Sequence, residues 1–124
     1  MSASKKKSSN CFIDLFVSIL GSKWKPCIIW NLRNGPHRFT ELQKKMNDVN
    51  SKTITTHLRE LEELKIISRV VYPEVPPRVE YSLTDYGKAL FPVYDAMLTW
   101  SVYYLEHEGL ETNECKKYSK KWMS

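Results

Sequence analysis

The chain has 124 residues, with 19 Lys and Arg against 14 Asp and Glu, for a net charge of +5. That length supports one domain with a modest core, and the basic excess suits a nucleic-acid or other acidic partner. No apolar run reaches membrane-spanning length and none follows Lys5-Lys6-Lys7 as a signal peptide would, so the expectation is a cytoplasmic protein with reduced thiols and no membrane partner.

Residues 1–10 are polar and Lys-rich, and read as a flexible basic arm. From Cys11 the pattern turns apolar. Phe12, Leu15, Phe16, Ile19 and Leu20 recur at helical spacing, with Asn10 a candidate cap and Asp14 in the first turn. Gly21 ends this helix. Ser22-Lys23-Trp24-Lys25-Pro26 opens a second helix, since proline is tolerated in a first turn. Cys27, Ile28, Ile29, Trp30 and Leu32 make it apolar nearly all round, and Asn34-Gly35-Pro36 stops it. His37-Arg38-Phe39 has room for a short strand. Thr40-Glu41-Leu42-Gln43 has the spacing of a capping box with Thr40 at the N-cap, and predicts a short helix from Glu41 to about Met46.

A tight polar turn, Asn47-Asp48-Val49-Asn50, leads into the most informative helix. Asn50 and Ser51 are both good caps. Ile54, Leu58 and Leu61 fall on one stripe, while Lys52, Thr55, Thr56 and Arg59 fall on the opposite one. The exposed face is polarised: the cations and threonines come early, and Glu60, Glu62 and Glu63 late. A helix that lays its N-terminal half against phosphates needs this sorting. Two helices joined by such a turn form a helix-turn-helix.

After Lys65 the period changes to two. Ile67–Tyr72 and Arg78–Leu83 read as paired strands, with Pro73-Glu74-Val75-Pro76-Pro77 as a stiff tip. A hairpin after a helix-turn-helix is a wing, and Arg78 stands where it can reach a phosphate or the minor groove. Thr84 is read as the cap of a last long helix, in which Tyr86, Leu90, Val93, Met97, Trp100 and Tyr104 recur near a heptad seam and Pro92 bends the axis. That is more aromatic surface than one helix of a small domain needs, so Phe12, Leu15, Phe16 and Ile19 together with Leu90, Val93, Met97, Trp100 and Tyr104 are read as a homodimer interface. Residues 106–124 form a weakly patterned tail, with Trp122 as an anchor and Cys115 in polar surroundings.

An enzyme is not expected. His37, His57 and His107 lie in separate elements, with no paired carboxylates or glycine-rich phosphate loop beside them. The three cysteines contain no C-x-x-C pair, so neither a metal nor a cofactor is expected.

At several points the chain resembles the HxlR family of winged helix-turn-helix regulators, relatives of the MarR group. The matching pieces are Cys11, Gly21-Ser22-Lys23-Trp24-Lys25-Pro26, Gly35–Leu42, Leu58-Arg59-Glu60-Leu61-Glu62 and, above all, Tyr72–Thr84. They run from Cys11 to about Trp100. The resemblance implies a mainly α (α+β) fold: a winged helix-turn-helix over residues 11–105 whose N- and C-terminal helices pair two copies. It implies a dimeric, sequence-specific DNA-binding transcriptional regulator on double-stranded DNA with a pseudo-palindromic operator; repression is preferred to activation, and the sequence leaves that choice open. The residues expected to face DNA are Ser51, Lys52, Thr53, Thr55, Thr56, His57 and Arg59 on the recognition helix. Lys23, Arg38, Thr40, Pro76, Pro77 and Arg78 are expected on the backbone and wing. One departure is Cys27, where a larger aliphatic residue is common.

Some members of that family sense electrophiles or oxidants through a cysteine at the position of Cys11. A thiolate at a helix N-terminus is favoured by the dipole and first-turn N–H groups, which makes Cys11 the candidate redox sensor and an intersubunit disulfide its candidate switch. The effector itself is not legible. Two alternatives share the fold: a winged helix used for protein–protein contact, and a nonspecific architectural DNA binder.

Overall fold

In the computed structural model, residues 11–111 are described, and the chain divides into two compact units between Lys88 and Ala89. The first unit begins with α1 (Phe12–Leu20), which starts from an extended Cys11, and α2 (Trp24–Asn31), which runs into a 3-10 turn (Leu32–Asn34). Gly35 follows at φ +133°, a backbone conformation closed to most side chains. It turns the chain into β1 (His37–Arg38), α3 (Phe39–Lys45) and α4 (Ser51–Glu63). Then come β2 (Ile67–Tyr72), β3 (Arg78–Leu83) and a single turn of helix, α5 (Asp85–Lys88).

The three strands form one antiparallel sheet in the order β1-β3-β2. Ile67 stands opposite Leu83 and Tyr72 opposite Arg78, so the hairpin stays in register to its tip. His37 and Arg38 pair with Tyr81 and Glu80, which anchors the helix-turn-helix to the wing. The fully buried side chains come from each of these layers: Ile28 and Ile29 of α2, Leu32, Leu42 of α3, Ile54, Leu58 and Leu61 of α4, and Ile67 of β2. Burying a large aliphatic side chain is worth about 1.5–3 kcal/mol, so α4 is held by three such anchors on its inner stripe. Gly87 closes the unit. A Cβ there would meet the carbonyl oxygen of Ile66 at 2.5 Å.

The second unit holds α6 (Phe91–His107), none of whose residues is buried. Trp100 and Tyr104 stack one turn apart, with ring centroids 5.3 Å apart. No described helix is long and apolar enough to cross a membrane.

Four expectations are corrected. The capping box is at Arg38 and Glu41, not at Thr40 and Gln43: the Arg38 N–H donates to Glu41 Oε1 at 2.7 Å, and the helix starts at Phe39 because β1 delivers the chain to that point. Thr84 caps α5, accepting from the Gly87 N–H at 3.3 Å, and does not begin the long helix. Pro92 lies in the first turn of α6, where its missing N–H costs nothing, so it starts that helix instead of bending it. Ile19 and Leu90, read as dimer residues, are only 5% and 9% exposed in the single chain, which leaves them little surface for a partner. The basic arm, most of the tail, Cys115 and Trp122 lie outside the described residues.

Candidate nucleic-acid interface

The recognition helix is fixed at its start. Asn50 adopts an extended backbone and its Oδ1 accepts from the Thr53 N–H at 2.8 Å. This satisfies one of the donors a helix leaves unpaired at its N-terminus. The inner stripe of Ile54, Leu58 and Leu61 is fully buried, whereas Ser51, Lys52, Thr55, Thr56 and Arg59 are exposed together on the outer side. Thr55 and Thr56 donate their hydroxyls back to the carbonyls of Ser51 and Lys52, at 2.8 and 3.0 Å. Their oxygens therefore present lone pairs outward, beside two methyl groups: an acceptor for a base amino group and an apolar contact for a thymine methyl.

Thr53 and His57 are half-buried at the edges of that face. His57 turns towards its own helix, with Nδ1 3.5 Å from Glu60 Oε1. Glu60 in turn is not a solvated acid. It accepts from the Lys25 ammonium at 2.9 Å, and that hydrogen bond, aided by the charges of Lys25 and His57, holds its carboxyl below the usual range despite partial burial. Lys25 also donates to the Ser18 carbonyl at 3.0 Å. One half-buried lysine on α2 thus ties α1 to the recognition helix. This tie is not legible in the sequence, because the partners stand far apart in the chain and neither carries a local signal.

The flanking cations are less uniform. Lys23 is exposed, with its ammonium 4.7 Å from the Trp24 ring centre. Arg38 and Thr40 are exposed at the start of α3. Pro76 and Pro77 are exposed at the wing tip, but Arg78 is already engaged. Its guanidinium lies 4.2 Å over the Tyr72 ring and reaches Glu74 at 3.0 Å and Glu80 at 3.6 Å. The structure brings the α4 residues together on one face; it gives Arg78 to the wing itself.

The two described thiols differ. Cys11 is exposed at the start of α1. Cys27 is half-buried and its S–H donates to the Lys23 carbonyl at 3.4 Å. Burial pushes that thiol up, Asp48 adds to the effect and Lys23 opposes it, so Cys27 resists becoming a thiolate. No group of three or more potential metal-ligating side chains occurs among the described residues.

Comparison with known proteins agrees with this architecture. An uncharacterized HTH-type transcriptional regulator of Methanothermobacter thermautotrophicus is 41% identical over 98 residues, covering 79% of this chain and 75% of that protein. The crystal structure of the HTH-type transcriptional regulator ytcD superposes with a TM-score of 0.73 at 35% identity, covering 77% of this chain and 98% of that one. The redox regulator HypR in its oxidized form gives 0.67 at 37% identity, over 73% and 93% of the two chains. The sequence profile of the HxlR-like helix-turn-helix matches residues 19–109. With the wing, the capped recognition helix and these likenesses in place, the chain belongs to the HxlR family of winged helix-turn-helix transcriptional regulators.

Proposed function

We propose that the protein represses transcription as a homodimer on a pseudo-palindromic operator, with two α4 helices entering successive major grooves about 34 Å apart. The observation that carries this reading is the outer face of α4. Ser51, Lys52, Thr55, Thr56 and Arg59 are exposed together, on a helix locked by three buried aliphatics and an Asn50 cap. Thr55, Thr56 and Arg59 read base edges; Lys52, Lys23, Arg38 and Thr40 hold phosphates. The exposed apolar side chains of α1 and of α6 support pairing of two copies.

The test is selection of bound DNA from a random pool, followed by anisotropy titration of the recovered site. The expected site has twofold symmetry, and Arg59→Ala weakens it by about 1–3 kcal/mol with the dimer intact. Absence of any preferred sequence refutes the reading, and binding without preference returns the protein to the architectural class.

The likeness to a redox regulator supports a finer part of the proposal: Cys11, exposed at a helix start, is the sensing thiol. Diamide is expected to release wild-type protein from the operator and to leave Cys11→Ser bound. A wild type indifferent to diamide and quinones refutes sensing and leaves DNA binding standing.

A further inference from the structure

The tip of the wing gathers two carboxylates around Arg78. Glu74 leaves the tip with its backbone N–H donating to the Tyr72 carbonyl at 2.8 Å. That turn sets its carboxylate beside Arg78 Nη2, 3.0 Å away. On the other side Glu80 Oε2 lies 3.6 Å from Nη1, and Tyr72 covers the guanidinium from below at 4.2 Å. Arg78 Nε is buried and finds no hydrogen-bond partner among the described residues. One guanidinium between two carboxylates leaves this cluster with a net charge of −1. By itself this tip cluster disfavours a phosphate, and exposed Arg69 on β2 brings the hairpin as a whole only to neutrality.

The two carboxylates are not equivalent. Glu80 lies in the middle of a paired strand, opposite Val70 and Arg38, and is 23% exposed, whereas the Glu74 side chain is 50% exposed on the loop. Glu74 can swing into water; Glu80 has little room to do so. A phosphate offers Arg78 the same bidentate oxygen geometry as a carboxylate. We propose that Glu74 is an internal phosphate mimic: it occupies the DNA-binding edge of Arg78 in the free protein and is displaced by a backbone phosphate on binding. Glu80 and Tyr72 hold the guanidinium in place throughout. Each binding event then trades one exposed ion pair for one phosphate contact, which sets the wing's grip below what its arginine could supply.

This inference rests on the DNA-binding reading above. Its test is the affinity and salt dependence of the full-length wild type, Glu74→Gln and the double variant Glu74→Gln/Arg78→Gln on the selected operator. Thermal unfolding serves as the check that each variant folds. An exposed ion pair is worth well under the energy of a buried one, so Glu74→Gln is expected to bind about two- to fivefold more tightly. The double variant is expected to lose that gain, and wild type to show a slope of log K against log salt steeper than the double variant's by about 0.9, one phosphate. Unchanged or weaker binding by Glu74→Gln overturns the proposal and makes Glu74 a structural brace. So does a gain that survives loss of Arg78. Wild type that binds no operator instead removes the functional reading itself.

Discussion

At the scale of single residues, Lys25 decides more than its position suggests. Its side chain is only 12% exposed, so its charge must be paired to be tolerated there. Glu60 supplies the pairing, and the Ser18 carbonyl accepts a second hydrogen bond from the ammonium. The Glu60 carboxyl titrates below its ordinary value, first through the Lys25 hydrogen bond. A depressed acid stabilises the fold above its unfolded pKa, about 4.3 for Glu, and that contribution is lost as pH falls through the lower folded value. Glu41, depressed by the hydrogen bond from the Arg38 N–H, works in the same sense. The prediction is a melting temperature that falls as pH drops below about 4.3. Lys25→Met should melt below wild type at neutral pH, and the gap should narrow on acidification as Glu60 is neutralised in both. A gap that stays constant with pH would show that Lys25 acts through packing alone.

At the scale of elements, the recognition helix depends on how it starts. Removing the Asn50 side chain leaves the Thr53 N–H without its acceptor, and loss of such a cap costs about 1 kcal/mol. Asn50→Ala is therefore expected to lower urea-unfolding stability by about that amount and to weaken operator binding beyond it, because Ser51 and Lys52 lie in the turn that frays. Equal operator affinity in both proteins would mean that DNA orders the turn by itself. This helix was readable in advance because cap, inner stripe and outer stripe all lie within one short segment. The hairpin was readable for a similar reason: a change of period and three prolines mark it locally. What escaped was set by distant partners. The segment 40–43 fits the capping-box signature and 38–41, which starts on an arginine, does not; only the pairing of β1 with β3 fixes where α3 begins. Pro92 fits a kink as well as a helix start, and Ile19 has the spacing of an exposed seam although the fold buries it. The grip of Glu74 on Arg78 was visible as an i,i+4 pair of opposite charge, but loops have no fixed period from which to infer contact.

At the scale of the whole molecule, the unpartnered apolar surface has to be explained. On α1, Phe12, Ile13, Leu15, Phe16 and Val17 are all exposed, with Phe12 at 71%. On α6, Met97, Trp100, Tyr103 and Tyr104 are exposed, with Trp100 at 62%. Ile13 and Val17 widen the surface beyond the residues that helical spacing singled out for pairing, and Tyr103 widens the apolar face of α6 as its sequence suggests. Exposed apolar side chains on each of these two helices support the proposed pairing, and a second copy is the partner that a two-half-site operator requires. A charge placed on α6 separates this from a helix that is merely exposed. Trp100→Glu removes a large aromatic anchor and sets a carboxylate in the proposed contact, so sedimentation should show monomer where wild type shows dimer. Each recognition helix would remain intact, since its cap and buried stripe lie in the other unit. Half-site binding should then survive at its intrinsic strength, while the full operator loses the gain from linking two sites, on the order of 100-fold or more. A Trp100→Glu protein that remains dimeric with full operator affinity would exclude α6 from the interface and leave α1 as the surface to test next.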